Sequence, residues 1–160
     1  MFISPNQMPT DSRIWIYQSN RILSAEEVNS IQGKAKSFIE NWTSHQVDLK
    51  ASFQIVYNIF LVILLDEKHA TAGGCSIDKS FHFIKQLESE FAMTLLDRNI
   101  FAYRENGNVK LLKRNEFEHK LENGLINDDT IVFNNLVQSK EQFEKEWEIP
   151  LSKSWIKSIL

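Results

Sequence analysis

SFQIVYNIFLVILLD, residues 52–66, is too β-branched and too uniformly apolar for a surface helix. It divides into two strands, about 52–57 and 60–66, with a tight turn around Asn58. The first of these alternates, with Phe53, Ile55 and Tyr57 on one face and Ser52, Gln54 and Val56 on the other. That pattern suits an edge strand with one half-solvated face. The second, Phe60 to Leu65, is apolar on both faces and belongs in the middle of a sheet.

Working outward, RIWIY (13–17) is another β-branched and aromatic run, apolar on both faces, and reads as a strand. Ser24 with Glu27 three residues later forms a capping box. It opens a helix whose stripe is Val28, Ile31, Ala35, Phe38, Ile39 and Trp42. A second helix follows Gly73 and Gly74, with Ile77, Phe81, Ile84, Leu87 and Phe91 as its buried stripe. RNIFAYR (98–104) and VKLLK (109–113) are strands joined through ENGN, whose Asn-Gly pair is a strong hairpin signal.

The order β-α-β-β-α-β over this stretch predicts an α+β fold with a ferredoxin-like antiparallel core. A C-terminal extension follows the hairpin. It holds a helix over 115–123 stopped by Gly124, a strand over 130–135, a helix capped by Ser139 and Gln142, and a last turn or two in SWIKSIL. Two helices cover one face of the sheet. The other face needs the C-terminal third, through Phe133, Phe143, Trp147 and Trp155, or a partner chain in a homodimer. Residues 1–12, with Pro5 and Pro9, read as an extended arm on a single domain of residues 1–160.

Composition narrows the function classes. The chain is 42% hydrophobic and 24% charged, as in globular proteins, and its net charge is −3. Lys and Arg are scattered, which argues against nucleic acid as a partner. The apolar run Ile55 to Leu65 is shorter than the roughly 20 residues a bilayer demands, so no membrane partner is expected. The N-terminus lacks a basic region followed by an apolar run, and a single Cys forms no internal disulfide. Both point to the cytoplasm.

The glycine-led segment GGCSIDKS (73–80) raises three readings. As a P-loop, G-x-x-x-x-G-K-[ST], it matches at Gly73, Lys79 and Ser80 and fails where Asp78 replaces the second glycine. A carboxylate there brings like charge toward phosphate oxygens, so NTP hydrolysis is not expected. As a thiol site, Cys75 stands ahead of a helix, where the dipole lowers a thiol pKa. The ferredoxin-like order brings TSHQVDLK (43–50) to the same end of the sheet, with His45 as base and Asp48 as orienting carboxylate, and His69 in the nearer loop. As an anion site, Gly73, Gly74 and Ser76 offer backbone N–H groups, Lys79 assists, and Asp78 opposes. Against all three stands a plain structural reading: Ser76 as N-cap, the glycines as a turn, and Cys75 packed as a small hydrophobe. Asp66, Glu67 and His69 are solvated loop residues rather than metal ligands, and no cofactor is expected.

RIWIYQSNR (13–21), SAEEV (24–28), GCSIDKS (74–80) and FNNLV (133–137) resemble a family of short uncharacterised bacterial proteins, some of which carry the label "ABC transporter ATPase". The resemblance covers nearly the whole chain. It implies a small protein with no assigned activity and supplies no catalytic residues. A complete Walker A, a Walker B and an LSGGQ-type signature are all missing from this sequence. The composition and the failed P-loop together lead to a small-ligand or protein-binding module that takes a small anion or a protein. The alternative is a thiol-dependent enzyme or redox sensor built on Cys75.

Overall fold

The computed structural model describes residues 1–160 and is a mixed α+β protein with antiparallel sheets. Its elements are β1 (Arg13–Gln18), α1 (Ala25–Glu40), β2 (Thr43–Ser44), β3 (Val47–Asp48), β4 (Ala51–Val56), β5 (Phe60–Leu65), α2 (Gly74–Phe91), β6 (Ile100–Glu105), β7 (Asn108–Lys113), α3 (Arg114–Glu122), β8 (Ile131–Phe133), α4 (Lys140–Glu146), β9 (Glu148–Pro150) and α5 (Trp155–Ile159).

The segment 52–66 folds as a hairpin. Tyr57 and Asn58 both take positive φ, 54° and 56°, as a primed turn demands, and Ile59 N–H closes it on the Val56 carbonyl at 3.1 Å. The first sheet has the order β1-β5-β4, so the all-apolar strand is central and the alternating one lies at an edge. β5 is buried along its whole length because it serves two cores. Leu61, Ile63 and Leu65 face α1 and α2, while Phe60, Val62 and Leu64 face the opposite side.

That opposite side is covered by the C-terminal third. Phe133 and Trp147 are buried against Phe60, and Phe143 packs at 4.6 Å, centroid to centroid, on Trp147. Trp155 does not take part; it packs on the far core with Phe117, Ile126 and Leu151.

Four differences from the sequence reading have physical causes. The strand over 98–104 does not pair with β1 to complete a ferredoxin-like sheet. As β6 it takes β7 on one edge and β8 on the other, in a second sheet of order β7-β6-β8-β9. The hairpin with β7, turned through Asn106 (φ 53°) and Gly107 (φ 80°), forms as expected, and the edge that β1 would have taken is held instead by β8. The helix opened by Ser139 stops at Glu146, and Glu148–Pro150 form the strand β9, which pairs only with β8, at a sheet edge where proline is tolerated. Residues 43–48 form a small hairpin rather than a loop, turning at His45 and Gln46, both at positive φ. Finally, the arm 1–12 is not simply extended. It holds a 3-10 turn at Pro5–Gln7, buries Met8, and lays Phe2 beside Ala51 along the open edge of β4.

α1 begins as expected, with Ser24 Oγ accepting from Glu27 N–H at 3.1 Å and Glu27 accepting from Ser24 N–H at 3.0 Å. α2 keeps Ile84, Leu87 and Phe91 of its expected stripe against the core but not Phe81. It buries Ser76, Ser80, Phe83, Ile84 and Leu87, leaving Phe81 45% exposed. No helix of the chain is long and apolar enough to cross a membrane.

Candidate functional site

The start of α2 is built by two loops that meet, as the strand order implies. Gly73 is the N-cap, so Ser76 is not. Instead Ser76 turns inward, its Oγ donating to the Thr43 carbonyl at 2.7 Å, while its own carbonyl accepts from Trp42 Nε1 at 2.9 Å. Gly73 N–H donates to Ser44 Oγ at 3.3 Å, and a Cβ on Gly73 would stand 3.6 Å from His45 Nε2.

Cys75 lies in the first turn of α2 and is exposed, so it is not the packed small hydrophobe of the structural reading. His45 and Asp48 stand on the neighbouring hairpin, both exposed. His69 Nε2 lies 3.1 Å from the Asp48 carbonyl, which ties the two loops together through backbone rather than carboxylate. No hydrogen bond joins Cys75 to either histidine or to Asp48. Asp78 and Lys79 sit on the helix itself, past its first turn, and are exposed. GGCSIDKS is therefore helix from Gly74 onward and not a loop wrapped around a phosphate. Glu67 pairs with Arg13 at 3.3 Å, and Asp66 Oδ1 accepts from Lys68 N–H at 3.1 Å.

The most developed concavity lies elsewhere, where β6 has left β1 unpartnered. It is a cleft of about 780 Å³ between β1, the α2–β6 connection, the start of β6 and α5. Thirteen of its nineteen lining residues are apolar. Its rim gathers Phe81, Leu96, Leu136 and Ile159, four large apolar side chains that are 37–63% exposed. One wall is fixed by a polar relay. Trp147 Nε1 donates to Asn135 Oδ1 at 2.9 Å, Asn135 Nδ2 to Gln18 Oε1 at 3.0 Å, and Gln18 Nε2 to the Ile100 carbonyl at 2.9 Å. The relay pins β1 to β6 by side chains where a ladder would have done so by backbone.

The sequence reading missed this cleft because it placed a strand there. One signal was present: Phe81 follows Ser80 on a helix whose serines fit inward, at the same face as Ser76. No family model, curated protein or solved structure matches the chain.

Proposed function

We propose that the protein is a cytoplasmic binding module without catalytic activity, and that the cleft beside β1 is its binding site. One observation carries the reading: four exposed large apolar side chains converge on a single concavity. Exposed apolar residues are ordinarily scattered, and a contiguous patch marks an interaction site. A volume of about 780 Å³ falls within the range of roughly 300–1,000 Å³ typical of ligand sites. Arg98 on the lining gives an anionic group somewhere to go. Nucleotide hydrolysis has no part in this reading, since Asp78 and Lys79 lie along a helix.

The test is a fluorescence titration of the native protein with 1-anilinonaphthalene-8-sulfonate, an apolar anion. Saturable binding is expected. The paired substitution Phe81→Glu and Leu136→Glu should weaken it roughly tenfold or more, about 1.4 kcal/mol, while thermal unfolding is unchanged because both side chains are exposed. Equal binding by the variant would sink the reading.

A second reading is favoured by the exposure of Cys75 beside the hairpin that carries His45. In it Cys75 is the nucleophile of a thiol-dependent enzyme or redox sensor, His45 its base and Asp48 an orienting group. An alkylation rate set by an apparent pKa well below the free-thiol value of about 8.5, and moved by His45→Ala, supports it. An ordinary thiol profile that His45→Ala leaves unchanged discards it. The resemblance to short bacterial proteins is compatible with both readings and decides neither.

A further inference from the structure

We propose that the cleft binds its partner by strand addition: an extended, apolar peptide segment of another protein, carrying a carboxylate, pairs with the free edge of β1 at Ile16–Gln18. This rests on the cleft reading and names its partner and its mode of binding.

The direction of the β1 backbone groups follows from the bonds at its two ends. Ile14 N–H donates outward to the Gln138 carbonyl at 3.2 Å, and Lys140 N–H donates to the Ser12 carbonyl at 2.9 Å. At the other end Ser19 N–H donates inward to Ile59 at 2.9 Å. Even-numbered residues therefore turn their N–H and C=O away from β5, and odd-numbered residues turn theirs toward it. The 138–140 segment satisfies only the beginning of the outer edge. Ile16 and Gln18 come next, and their outward backbone groups have no protein partner. Both residues are half-buried and line the cleft.

An acyl chain cannot satisfy such groups. An extended peptide can, because the two residues are about 6.6–6.8 Å apart along the strand, the repeat of a neighbouring strand. Its apolar side chains would meet Phe81 of α2, Leu136 and Ile159, which line the same cleft.

Charge selects among peptides. Of the three charged residues that line the cleft, two are engaged within the chain. Asp97 Oδ1 accepts from Asn99 N–H at 2.9 Å, and Arg114 Nε donates to Glu118 at 2.8 Å. Arg98 enters no ion pair. An acidic side chain or a terminal carboxylate on the peptide complements it.

The test is selection of random displayed peptides on the immobilised full chain, followed by synthesis of the recovered sequences. Apolar sequences with an acidic residue are expected. N-methylation of the amides that face β1 should weaken binding roughly tenfold, the loss of two backbone hydrogen bonds, while methylation of the alternate amides should not. Arg98→Ala should weaken it about three- to tenfold. Failure to select any peptide, or indifference to the position of N-methylation, overturns strand addition. If the anilinonaphthalene probe still binds in that case, the cleft reading stands alone; if it does not, both fall. A concentration-dependent dimer that buries Ile16 and Gln18 also overturns the proposal, since a second copy is then the occupant.

Discussion

The guanidinium of Arg104 lies over the ring of Tyr57, its carbon 4.9 Å from the ring centroid. Arg104 belongs to β6 and Tyr57 to the β4–β5 turn, so the contact joins the two sheets. Glu148 completes it, accepting from Arg104 Nε and from the Tyr57 hydroxyl, the latter at 2.9 Å. Beneath them Tyr57 stacks on Trp147, 5.8 Å between centroids and 9° between planes. A double-mutant cycle with Arg104→Ala and Tyr57→Ala should give a coupling of about 1 kcal/mol, at the upper end for a partly exposed cation–π pair. Independent effects of the two substitutions would remove this contact as a tie between the sheets.

Trp42 is a second fastener, between the end of α1 and the start of α2. It is 1% exposed and its indole N–H is the hydrogen-bond partner of the Ser76 carbonyl. Trp42→Phe leaves that carbonyl unpaired and a void beside Phe38, and should cost about 2–4 kcal/mol in chemical denaturation with the slope unchanged. A loss under about 0.5 kcal/mol would mean the indole bond is absent in solution.

The capping box of α1 makes stability sensitive to acid. Arg21 beside Glu27, together with the Ser24 backbone N–H, holds the Glu27 carboxyl down at about 2. A carboxyl whose folded value lies below its unfolded value stabilises the fold above the unfolded value, near 4.3. That contribution is lost as pH falls from there toward about 2. The stability difference between wild type and Glu27→Gln should be constant above roughly pH 5–6 and vanish on approach to pH 2. A difference that persists unchanged at pH 2 would contradict the pairing.

Cys75 should react with iodoacetamide in the native protein, at a rate within about tenfold of the urea-unfolded chain, because it is exposed. Protection until unfolding would place it in the core and end the thiol reading.

Local signals carried far in this sequence. The hairpin at Asn58, the Ser24 box, the Asn106-Gly107 turn and the Gly124 stop each depend on a few neighbouring residues, and all four are present. The neighbourhood β1-β5-β4 was legible too, since the fully apolar 60–65 is central and the alternating 52–57 is at an edge, although β1, also apolar on both faces, lies at the other edge. The fourth strand was not. Which strand takes the edge of 98–104 opposite its hairpin is a contest between β1 and β8, both distant in sequence, and alternation along RNIFAYR is the same for either partner. The cleft is what that contest leaves behind, so it was hidden for the same reason. On α2 the expected stripe holds at Ile84, Leu87 and Phe91, which pack on the core, and fails at Phe81, which is exposed. Ser76 and Ser80 go inward, each spending its hydroxyl on a backbone carbonyl, Thr43 and Ile77 respectively. The meeting of the 43–50 and 66–74 segments was foreseen from strand order alone, while the exposure of Cys75 was not.

The outer edge of β1 at Ile16–Gln18 stands open beside an apolar cleft. Residue-resolved amide hydrogen exchange of the free protein tests it most directly. Trp15 and Tyr17, which point to β5, should be strongly protected, and Ile16 and Gln18 should exchange faster by orders of magnitude, roughly a hundredfold or more. Equal protection of all four amides, at a concentration where the protein is monomeric, would mean that the edge is already paired and that the binding account is wrong.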